Sequence, residues 1–572
     1  MVTLRSSILF PLLAFLANGA PVGTQKRTEE ASKIHASYAS TNTTTVLTSC
    51  LASASSETQR AACHTSKPDQ HNEEDATIKS TERDIKIKIN GTNAIVQRQV
   101  PWPAFTDDDT FLTLINATPY RWKRGFIHNH QMEDWEAGWP EYIEPGQVAS
   151  AHAKPCFRAF NCADSAGEVE YHFEGTKKPM SILYKMRSTR FKPAVSVQFR
   201  GELNSLNNGP NSEHKLEFLR LPSGSGFVVA GKEGDFITND GPLNWMQAML
   251  PELKDVPLRE IILPRSHHAG LWKGKRIMLG QPANTQTHIT TLHDQLGNGG
   301  IRVLDFRAAL YKKGMFRESH LAKLAHNYHG MLGATLDEMI DEINAFNSEV
   351  PGELIILDVH IDAIDARNVN NSKWKKLAVK DRRLLFKKLM RLRNRMNVPD
   401  DEDISKWELN RFIGNETSAV LVNFDKSWFD EDPKEFPGGA AGFVTGANLP
   451  LTHRWSDTDN LDHMVEDQVR HFQELRKHRD NPIHIADWLL TQKGFNVIIA
   501  EPSLLSLSTD AWRELYQRLW SRSTSESYPN WIAVDNVQGN MHKSIIMAMN
   551  HCLVARKCGS LGGKVTLAEH TE

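Results

Sequence analysis

Cysteine is scarce in this chain, and no cysteine pattern typical of a metal site or a redox site is present. Six of the 572 residues are cysteine, and no Cys-x-x-Cys occurs, which argues against a zinc ribbon or a thioredoxin-like centre. The six fall into three local pairs, Cys50 with Cys63, Cys156 with Cys162, and Cys552 with Cys558. We expect three short-loop disulfides in an oxidising compartment, although free thiols and cross-pairing stay open because six cysteines allow about fifteen connectivities.

The chain also has almost no net charge. Lysine and arginine number 67 and aspartate and glutamate 69, for a net charge of -2. No overall field therefore attracts the chain to nucleic acid or to anionic lipid, so we expect no nucleic-acid partner and only local membrane contact. With 40% hydrophobic residues, the chain is long enough for two or more domains with their own cores.

A hydrophobic run long enough to cross a bilayer is missing as well. The apolar run from Ile8 to Leu16 is short and contains Pro11; with Arg5 before it and small residues after it, residues 1–20 are typical of a secretory signal peptide. An N-terminal anchor is the alternative. The polar end of the chain, 565–572, argues against a lipid-anchor signal. We expect a secreted, extracellular protein with no transmembrane segment.

Glycosylation sequons fit a secretory route. Five Asn-x-Ser/Thr sequons are present, at Asn42, Asn90, Asn116, Asn370 and Asn415. In a eukaryotic secretory pathway several of them would carry glycans, although such sequons also arise by chance.

Composition then divides the chain into a leader and two folded regions. Residues 21–100 are rich in Ser, Thr, Ala and Gln, which predicts a flexible leader. Residues 101–235 hold short β-branched or alternating runs, which predict a β-sandwich. Its expected strands are Thr110–Asn116, Val169–Phe173, Ser181–Met186 and Ala194–Phe199. Ser223–Gly226 reads as the start of a linker. The aromatic residues of the predicted β-sandwich include Trp122, Trp135, Trp139 and Tyr142. They either belong to its core or form a platform for carbohydrate or lipid headgroups.

From residue 242 to 560, apolar strands alternate with amphipathic helices. This alternation predicts α/β architecture with a parallel sheet, and we favour a TIM barrel over an open sheet. The expected strands are Leu258–Leu263, Ile301–Phe306, Leu354–Val359, Ala419–Phe424, Val497–Ala500 and Trp531–Val534. The expected helices are Leu336–Asn347, Lys373–Asn394, Leu461–His478, Thr509–Trp520 and His542–Ala555. The helix within Lys373–Arg395 is rich in lysine and arginine. This basic helix could approach anionic lipid, or its charges could form a solvated face above an apolar packing stripe.

Functional groups of such a barrel lie where its strands end. Polar residues at these positions are His267, Arg307, His360, Asp425, Glu501 and Asp535, although loops are polar for other reasons too. Two histidines, His267 and His329, bracket Arg307 in the chain. Together they provide a base, an acid and a phosphate clamp, which is the minimum needed to cleave a phosphodiester by proton transfer.

The ordered set of motifs from about Asp255 to His360 resembles the catalytic X-type half of phosphatidylinositol-specific phospholipase C, a distorted TIM-barrel family. The matching residues are His267 in Pro-x-Ser-His-x-x-Gly, Gly300-Ile301-Arg302 with Asp305-x-Arg307, and His329-Gly330, followed by a helix and the strand in Pro351–Leu357. About 105 residues carry the similarity, and later strands match only in outline.

This resemblance implies a mechanism and a set of roles. His267 would be the base that deprotonates a ring hydroxyl beside the phosphate, and His329 the acid that protonates the leaving oxygen. Arg307 would hold the phosphoryl oxygens. Asp305 would orient or neutralise arginines, and Asp535 would set the tautomer of His267. Contacts to substrate are expected from His268, His360 and Arg302.

The resemblance also implies that no metal or other cofactor is needed. Members of the family are either calcium-dependent or carry an arginine in place of the metal, and Asp305-Phe306-Arg307 fits the second mode, with no Asn after His267. A hard cation near Arg307 would be repelled. His288, His293, His320 and His326 share no zinc-ligand spacing, so scattered surface or core histidines are the simpler interpretation.

Two departures from the family keep the substrate open. Bacterial members usually have Asp where this chain has His268, and the family's lysine or acidic residue after the next strand is replaced by His360, preceded by Asp358. The headgroup need not be inositol. We expect a phospholipid or another phosphodiester at a membrane surface as substrate, and the oligomeric state stays open.

Two alternative functions remain. A catalytically silent relative could bind lipid or glycan, with His268 in place of Asp as its mark. A different barrel hydrolase, such as a glycerophosphodiesterase or a sphingomyelinase D-like enzyme, would need a Glu-x-Asp metal site after the second strand, where this chain has Asp305-x-Arg307.

Overall fold

A computed structural model describes most of the chain beyond residue 110. The described residues are 85–89, 92–96, 110–133, 135–155, 165–187, 192–216, 223–277, 280–312, 314–324, 327–367, 376–430, 433–493, 497 and 501–559. The predicted signal peptide, most of the predicted leader, the first four cysteines and the sequons at Asn42, Asn90 and Asn370 lie outside them. Residues 1–98 and 99–572 form two separate units; within the first, Ile85–Ile89 and Thr92–Val96 form an antiparallel hairpin.

The described strands extend from the hairpin of the first unit to residue 534 of the second. In chain order the strands are β1 (Ile85–Ile89), β2 (Thr92–Val96), β3 (Thr110–Ala117), β4 (Trp122–His130), β5 (Met132–Glu133), β6 (Tyr142–Ile143), β7 (Val148–Pro155), β8 (Ala166–Phe173), β9 (Pro179–Arg187), β10 (Lys192–Phe199), β11 (Glu213–Leu216), β12 (Ser223–Ala230), β13 (Ile237–Thr238), β14 (Leu263–Ser266), β15 (Lys275–Ile277), β16 (Val303–Phe306), β17 (Ala308–Tyr311), β18 (Met315–Leu324), β19 (Asn327–Thr335), β20 (Leu354–Val359), β21 (Ile364–Asp365), β22 (Ala419–Phe424), β23 (Phe443–Thr445), β24 (Leu451–His453), β25 (Ile483–Asp487) and β26 (Trp531–Val534).

The helices in the described part of the chain begin at Trp245. They are α1 (Trp245–Ala248), α2 (Leu250–Leu253), α3 (Leu292–Leu296), α4 (Leu336–Glu349), α5 (Val379–Leu389), α6 (Leu461–Leu475), α7 (Leu504–Glu514), α8 (Trp520–Arg522) and α9 (Met541–Met549), with π-helical turns at Leu515–Leu519 and Asn550–Val554 and short 3-10 turns in the loops. Among the described residues, none of these helices is both long and apolar enough to cross a membrane.

Two sheets precede the parallel sheet and share one core. Their strand orders are β11-β10-β9-β8-β4-β6 and β13-β12-β3-β7-β5. Alternating apolar residues from both, such as Leu114, Val169 and Phe227, are buried together, as expected for packed sheets. Trp122, Trp135 and Trp139 are buried in this core, so these three pack rather than form a surface platform.

The predicted linker at Ser223–Gly226 is wrong, because this segment begins β12, which pairs in parallel with β3. Glycine is required there by close packing rather than by flexibility. A Cβ at Gly224 would lie 1.8 Å from the Phe111 ring, and one at Gly226 2.4 Å from the Tyr516 ring. The serine–glycine composition therefore marks a tightly covered strand.

The predicted α/β region contains an eight-stranded parallel sheet. Its order is β23-β22-β20-β16-β14-β26-β25-β24, and every ladder within it is parallel. Among the described residues no ladder joins β23 to β24, so the parallel sheet is confirmed and its closure into the expected barrel is not. Buried Val, Ile and Leu fill its strands, as expected for a sheet covered on both faces.

Some strand and helix bounds differ from those expected. Leu258–Glu260 is a 3-10 turn, and the strand begins only at Leu263. In the expected strand Val497–Ala500 only Val497 is described, and it is helical; the strand beside β26 is Ile483–Asp487. Two buried polar residues in that segment, His484 and Asp487, interrupt the apolar run that marks the other strands.

The basic helix packs by its apolar stripe. It spans Val379–Leu389, shorter than expected, and Leu385 and Leu389 are buried. Lys388 and Arg391 both contact the carboxylate of Asp337 on α4. These contacts favour packing against the neighbouring helix as the role of this face.

The structure bears on one predicted disulfide and on one predicted glycosylation site. Cys552 and Cys558 form a disulfide with an S–S distance of 2.00 Å, which confirms that pair. Asn116 is fully buried, and its amide donates to the carbonyls of Tyr120 and Ile143. A glycan at Asn116 is therefore excluded in the folded protein.

Candidate active site

Polar side chains fill the parallel sheet near the carboxyl ends of its strands. The register sets Asp305 level with Asp358, and Asp358 level with Asn423. Arg265, on the neighbouring strand, lies 3.0 Å from Asp358 and 3.4 Å from Asp305. Burial alone would lower the pKa of the Arg265 guanidinium, but the carboxylates of Asp305 and Asp358 outweigh it and raise that pKa. This buried charge layer is the floor of the site.

His267 follows β14 and lies between a carboxylate and a guanidinium. Its Nδ1 is 2.9 Å from Oδ1 of Asp535, which follows β26. Its Nε2 is 3.1 Å from Nη2 of Arg307. A guanidinium can only donate and a carboxylate can only accept. The ring proton of His267 therefore lies on Nδ1, and Nε2 is unprotonated and accepts from Arg307. The imidazole is thus held in the tautomer that a general base needs.

Asp305 connects Arg307 and the loop of His267 to the buried charge layer. Its Oδ2 is 3.4 Å from Nη2 of Arg307 and accepts from the backbone N–H of His268 at 3.1 Å. Burial would raise the pKa of the Asp305 carboxyl, but the charges of Arg307 and Arg265 hold it below its ordinary value. Asp305 is therefore a buried negative charge between two arginines, and its orienting role stays a prediction.

His268 does not line the site, so its expected contact with substrate is wrong. The side chain is fully buried, and its Nδ1 lies 3.0 Å from Oε1 of Glu318. Its ring stacks on His320 at 4.3 Å. Burial, followed by the charge of Arg307, lowers the pKa of His268 well below its ordinary value. Burial also raises the pKa of Glu318 well above its ordinary range.

His329 lies on β19, in a mixed, mainly antiparallel sheet with the strand order β15-β19-β18-β17-β21. It pairs with Ala322, while His320 pairs with Met331, so His329 and His320 are diagonal neighbours on one face of the β18–β19 ladder, about 7–8 Å apart. The His320 ring is itself 6.4 Å from that of His267. Burial lowers the pKa of His329. Its role as acid stays a prediction.

The remaining expected residues divide between the site and the scaffold. His360 follows β20, half-exposed, with its Nδ1 3.3 Å from Asp362. Arg302 cannot contact substrate as expected, because it is fully buried against Glu353 and donates to the carbonyls of Leu296 and Leu243. It belongs to the core at the opposite end of the strand.

Two expected strand-end residues have other roles. Asp425 caps a 3-10 turn by accepting from the backbone N–H of Ser427. Glu501 is exposed and follows no strand among the described residues.

Residues that the motifs did not indicate complete the site. Glu318, Arg265 and His288 are buried beside His267 or its neighbours. His453 and Asp487 form a further pair at the ends of β24 and β25, 2.5 Å apart. Arg265 could have been found two residues before His267, because alternate residues of a strand share a face. The other residues lie far from His267 in the sequence, and only the fold brings them to the site. No group of three His, Cys, Asp or Glu side chains in the described part of the chain is arranged to hold a metal.

Comparisons with known proteins give a likeness of fold at low similarity. No protein-family model matches the sequence, and no curated protein sequence matches it. A mutant of phosphatidylinositol-specific phospholipase C from Staphylococcus aureus is similar in structure, with 16% identity and a TM-score of 0.38, over 54% of this chain and 97% of that one. The enzyme of the same name from Listeria monocytogenes has 15% identity and a TM-score of 0.35, over 54% and 98%.

A third similar structure is a putative glycerophosphoryl diester phosphodiesterase from Silicibacter pomeroyi, with 11% identity and a TM-score of 0.23, over 54% of this chain and 99% of that one. With every one of these TM-scores below 0.5, the likeness establishes neither a family nor an activity. The chemistry is therefore inferred from the side chains of the site alone.

Proposed function

We propose that the chain is a secreted phosphodiesterase that cleaves by intramolecular attack, without a metal, in the manner of a phosphatidylinositol-specific phospholipase C. The observation that carries the proposal is the pair of contacts made by His267, to Asp535 through one ring nitrogen and to Arg307 through the other. In this proposal residues 1–20 are a signal peptide, 101–235 an accessory β-sandwich and 242–560 a TIM-barrel phosphodiesterase domain.

The first step uses the base and the clamp. Substrate phosphate draws Nη2 of Arg307 away from His267, because a phosphoryl oxygen is a stronger acceptor than an imidazole nitrogen. Nε2 of His267 then takes the proton of a hydroxyl adjacent to the phosphate. The hydroxyl oxygen bonds to phosphorus, and Arg307 stabilises the charge that builds on the phosphoryl oxygens. General base catalysis of this kind contributes about 10²–10⁴-fold to the rate.

The second half of the reaction needs a proton for the leaving oxygen. His329 is the proposed donor, since it lies on the ladder face that also carries His320. The phosphorus–oxygen bond to the leaving group breaks as that oxygen is protonated, which yields a cyclic phosphodiester and a free alcohol. A cation bound at this place would be repelled by Arg307, so no metal takes part in this scheme.

The substrate is a phospholipid, or another phosphodiester, with a hydroxyl next to the phosphate. Phosphorus-31 NMR of phosphatidylinositol vesicles with the purified chain and EDTA tests the proposal. A cyclic phosphate signal that is present with EDTA and absent in His267→Ala and Arg307→Lys is the expected result. No turnover of inositol lipid or of other phosphodiesters would instead favour a silent relative that binds lipid or glycan.

A further inference from the structure

One fully buried histidine, His288, joins the two loops that carry the base and its carboxylate. Its Nε2 lies 2.7 Å from the backbone carbonyl of His267. Its Nδ1 accepts from the backbone N–H of Val537 at 3.3 Å. Val537 is two residues past Asp535, so a single imidazole ring spans the backbone after β14 and the backbone after β26.

The two contacts fix the state of this ring. A carbonyl oxygen only accepts and an amide N–H only donates, so the proton of His288 is on Nε2 and the ring is neutral. Ser266 is consistent with this state, because its hydroxyl donates to Gln295 and leaves its oxygen, 3.0 Å from Nε2, able to accept. Burial lowers the pKa of His288 to about 4, so the ring stays neutral at physiological pH.

The neighbours of His288 join the same two loops. The Thr287 hydroxyl donates to the carbonyl of His268 at 3.2 Å, and the Thr287 backbone carbonyl accepts from the backbone N–H of Asn536 at 2.6 Å. Thr290 donates to the carbonyl of Val537 at 2.8 Å. Asn536 has a φ of 56°, a left-handed conformation that costs a non-glycine residue energy and persists only where its surroundings hold it.

We propose that His288 is a positioning residue, whose neutral ring holds the His267 loop and the Asp535 loop at the separation that their hydrogen bond requires. The proposal rests on the proposed function for its kinetic consequence, but its structural consequence does not depend on activity. Without the ring, each loop keeps only part of its anchoring, and His267 loses the fixed partner that keeps its proton on Nδ1.

Three substitutions separate the two ends of the ring. The amide nitrogen of Gln reaches the position of Nε2, so His288→Gln keeps the donor to the His267 carbonyl and loses the acceptor for Val537. The amide oxygen of Asn takes the place of Nδ1, so His288→Asn keeps the acceptor and loses the donor. His288→Leu removes both. His484→Gln is the matched control, because His484, on β25 of the parallel sheet, is also a fully buried histidine, with its Nδ1 bonded to Thr452.

Two measurements on the full-length protein decide the outcome. In protein labelled with nitrogen-15 at histidine, the ring shifts of His267, assigned by their loss in His267→Ala, report its tautomer. We expect the wild-type protein and His484→Gln to keep the proton on Nδ1, and His288→Leu to show a second tautomer. Turnover of phosphatidylinositol should fall about 10–100-fold in kcat for His288→Leu, and less for Gln and Asn, with KM within about twofold.

The results separate the two proposals. Wild-type ring shifts and wild-type kcat per folded molecule in all three His288 variants would overturn the positioning role. If the wild-type protein cleaves no phosphodiester, the proposed function fails, and the ring shifts alone still decide the role of His288. A loss of kcat in His484→Gln equal to that in His288→Leu would show a general effect of instability and would also overturn it.

Discussion

At the scale of single residues, His453 makes the stability of the folded protein depend on pH. The Asp487 carboxylate, 2.5 Å away, raises the pKa of His453 above its ordinary value. A group whose pKa is raised by folding stabilises the folded state below its unfolded pKa, about 6.5 for histidine, and this stabilisation is lost as the pH rises through the folded pKa. The pair should therefore contribute more at pH 5–6 than at pH 8.

The test is urea unfolding of the wild-type protein and His453→Gln at both pH values. Because His453 is exposed to solvent, screening limits the difference at low pH to about 1 kcal/mol or less. Arg265 and Asp358 also act on this histidine, in opposite directions. A difference that stays constant from pH 5 to pH 8, or that grows as the pH rises, would contradict the assignment.

At the scale of elements, one buried ion pair anchors the amino-terminal ends of two central strands. Arg302 precedes β16 and Glu353 precedes β20, and Nε of Arg302 is 2.6 Å from the Glu353 carboxylate. The same carboxylate accepts from the backbone N–H groups of Met246 and Gln247 in α1. Burial raises the pKa of Glu353, and the charge of Arg302 opposes that rise.

Removing one partner of this pair should destabilise the fold strongly. Arg302→Met leaves the Glu353 carboxylate buried without its cation, and such changes cost about 3–5 kcal/mol. Urea unfolding should show this loss, and Arg302→Met combined with Glu353→Gln should recover part of it. Unfolding of Arg302→Met at the wild-type urea concentration would instead mean that Arg302 is not an anchor.

The sequence predicts strand bounds well where a strand is apolar at every position or at all but one. Leu354–Val359, Ala419–Phe424 and Trp531–Val534 have the expected bounds, because strands covered on both faces are continuous apolar runs. It predicts the site only in part. The motifs indicate His267, Arg307 and Asp305, which the fold brings together. The contacts of Glu318, on β18, and of His288, in a loop, depend on segments that meet only in the folded protein and leave no local pattern.

At the scale of the whole molecule, the preceding sheets and the parallel-sheet region are packed together through a glycine-rich strand. Leu114 and Phe227 face the core between the two preceding sheets, while Ile115 and Val228 belong to the core of the parallel-sheet region. The sheet of β3 and β12 is thus buried on both faces. Unfolding of this second unit should therefore occur in one transition, because neither core is complete without that sheet.

Gly226→Ala tests this coupling where β12 packs against Tyr516. The new methyl group would lie 2.4 Å from the Tyr516 ring, whose hydroxyl donates to the Met541 carbonyl at 2.7 Å. Overpacking of this kind costs about 1–3 kcal/mol, and it should lower the melting temperature of a single calorimetric transition. Gly209→Ala is the matched control, since nothing lies within 4 Å of its Cβ position. A split into two transitions in Gly226→Ala, with one at the wild-type temperature, would mean that the two regions unfold independently and that the shared sheet does not couple them.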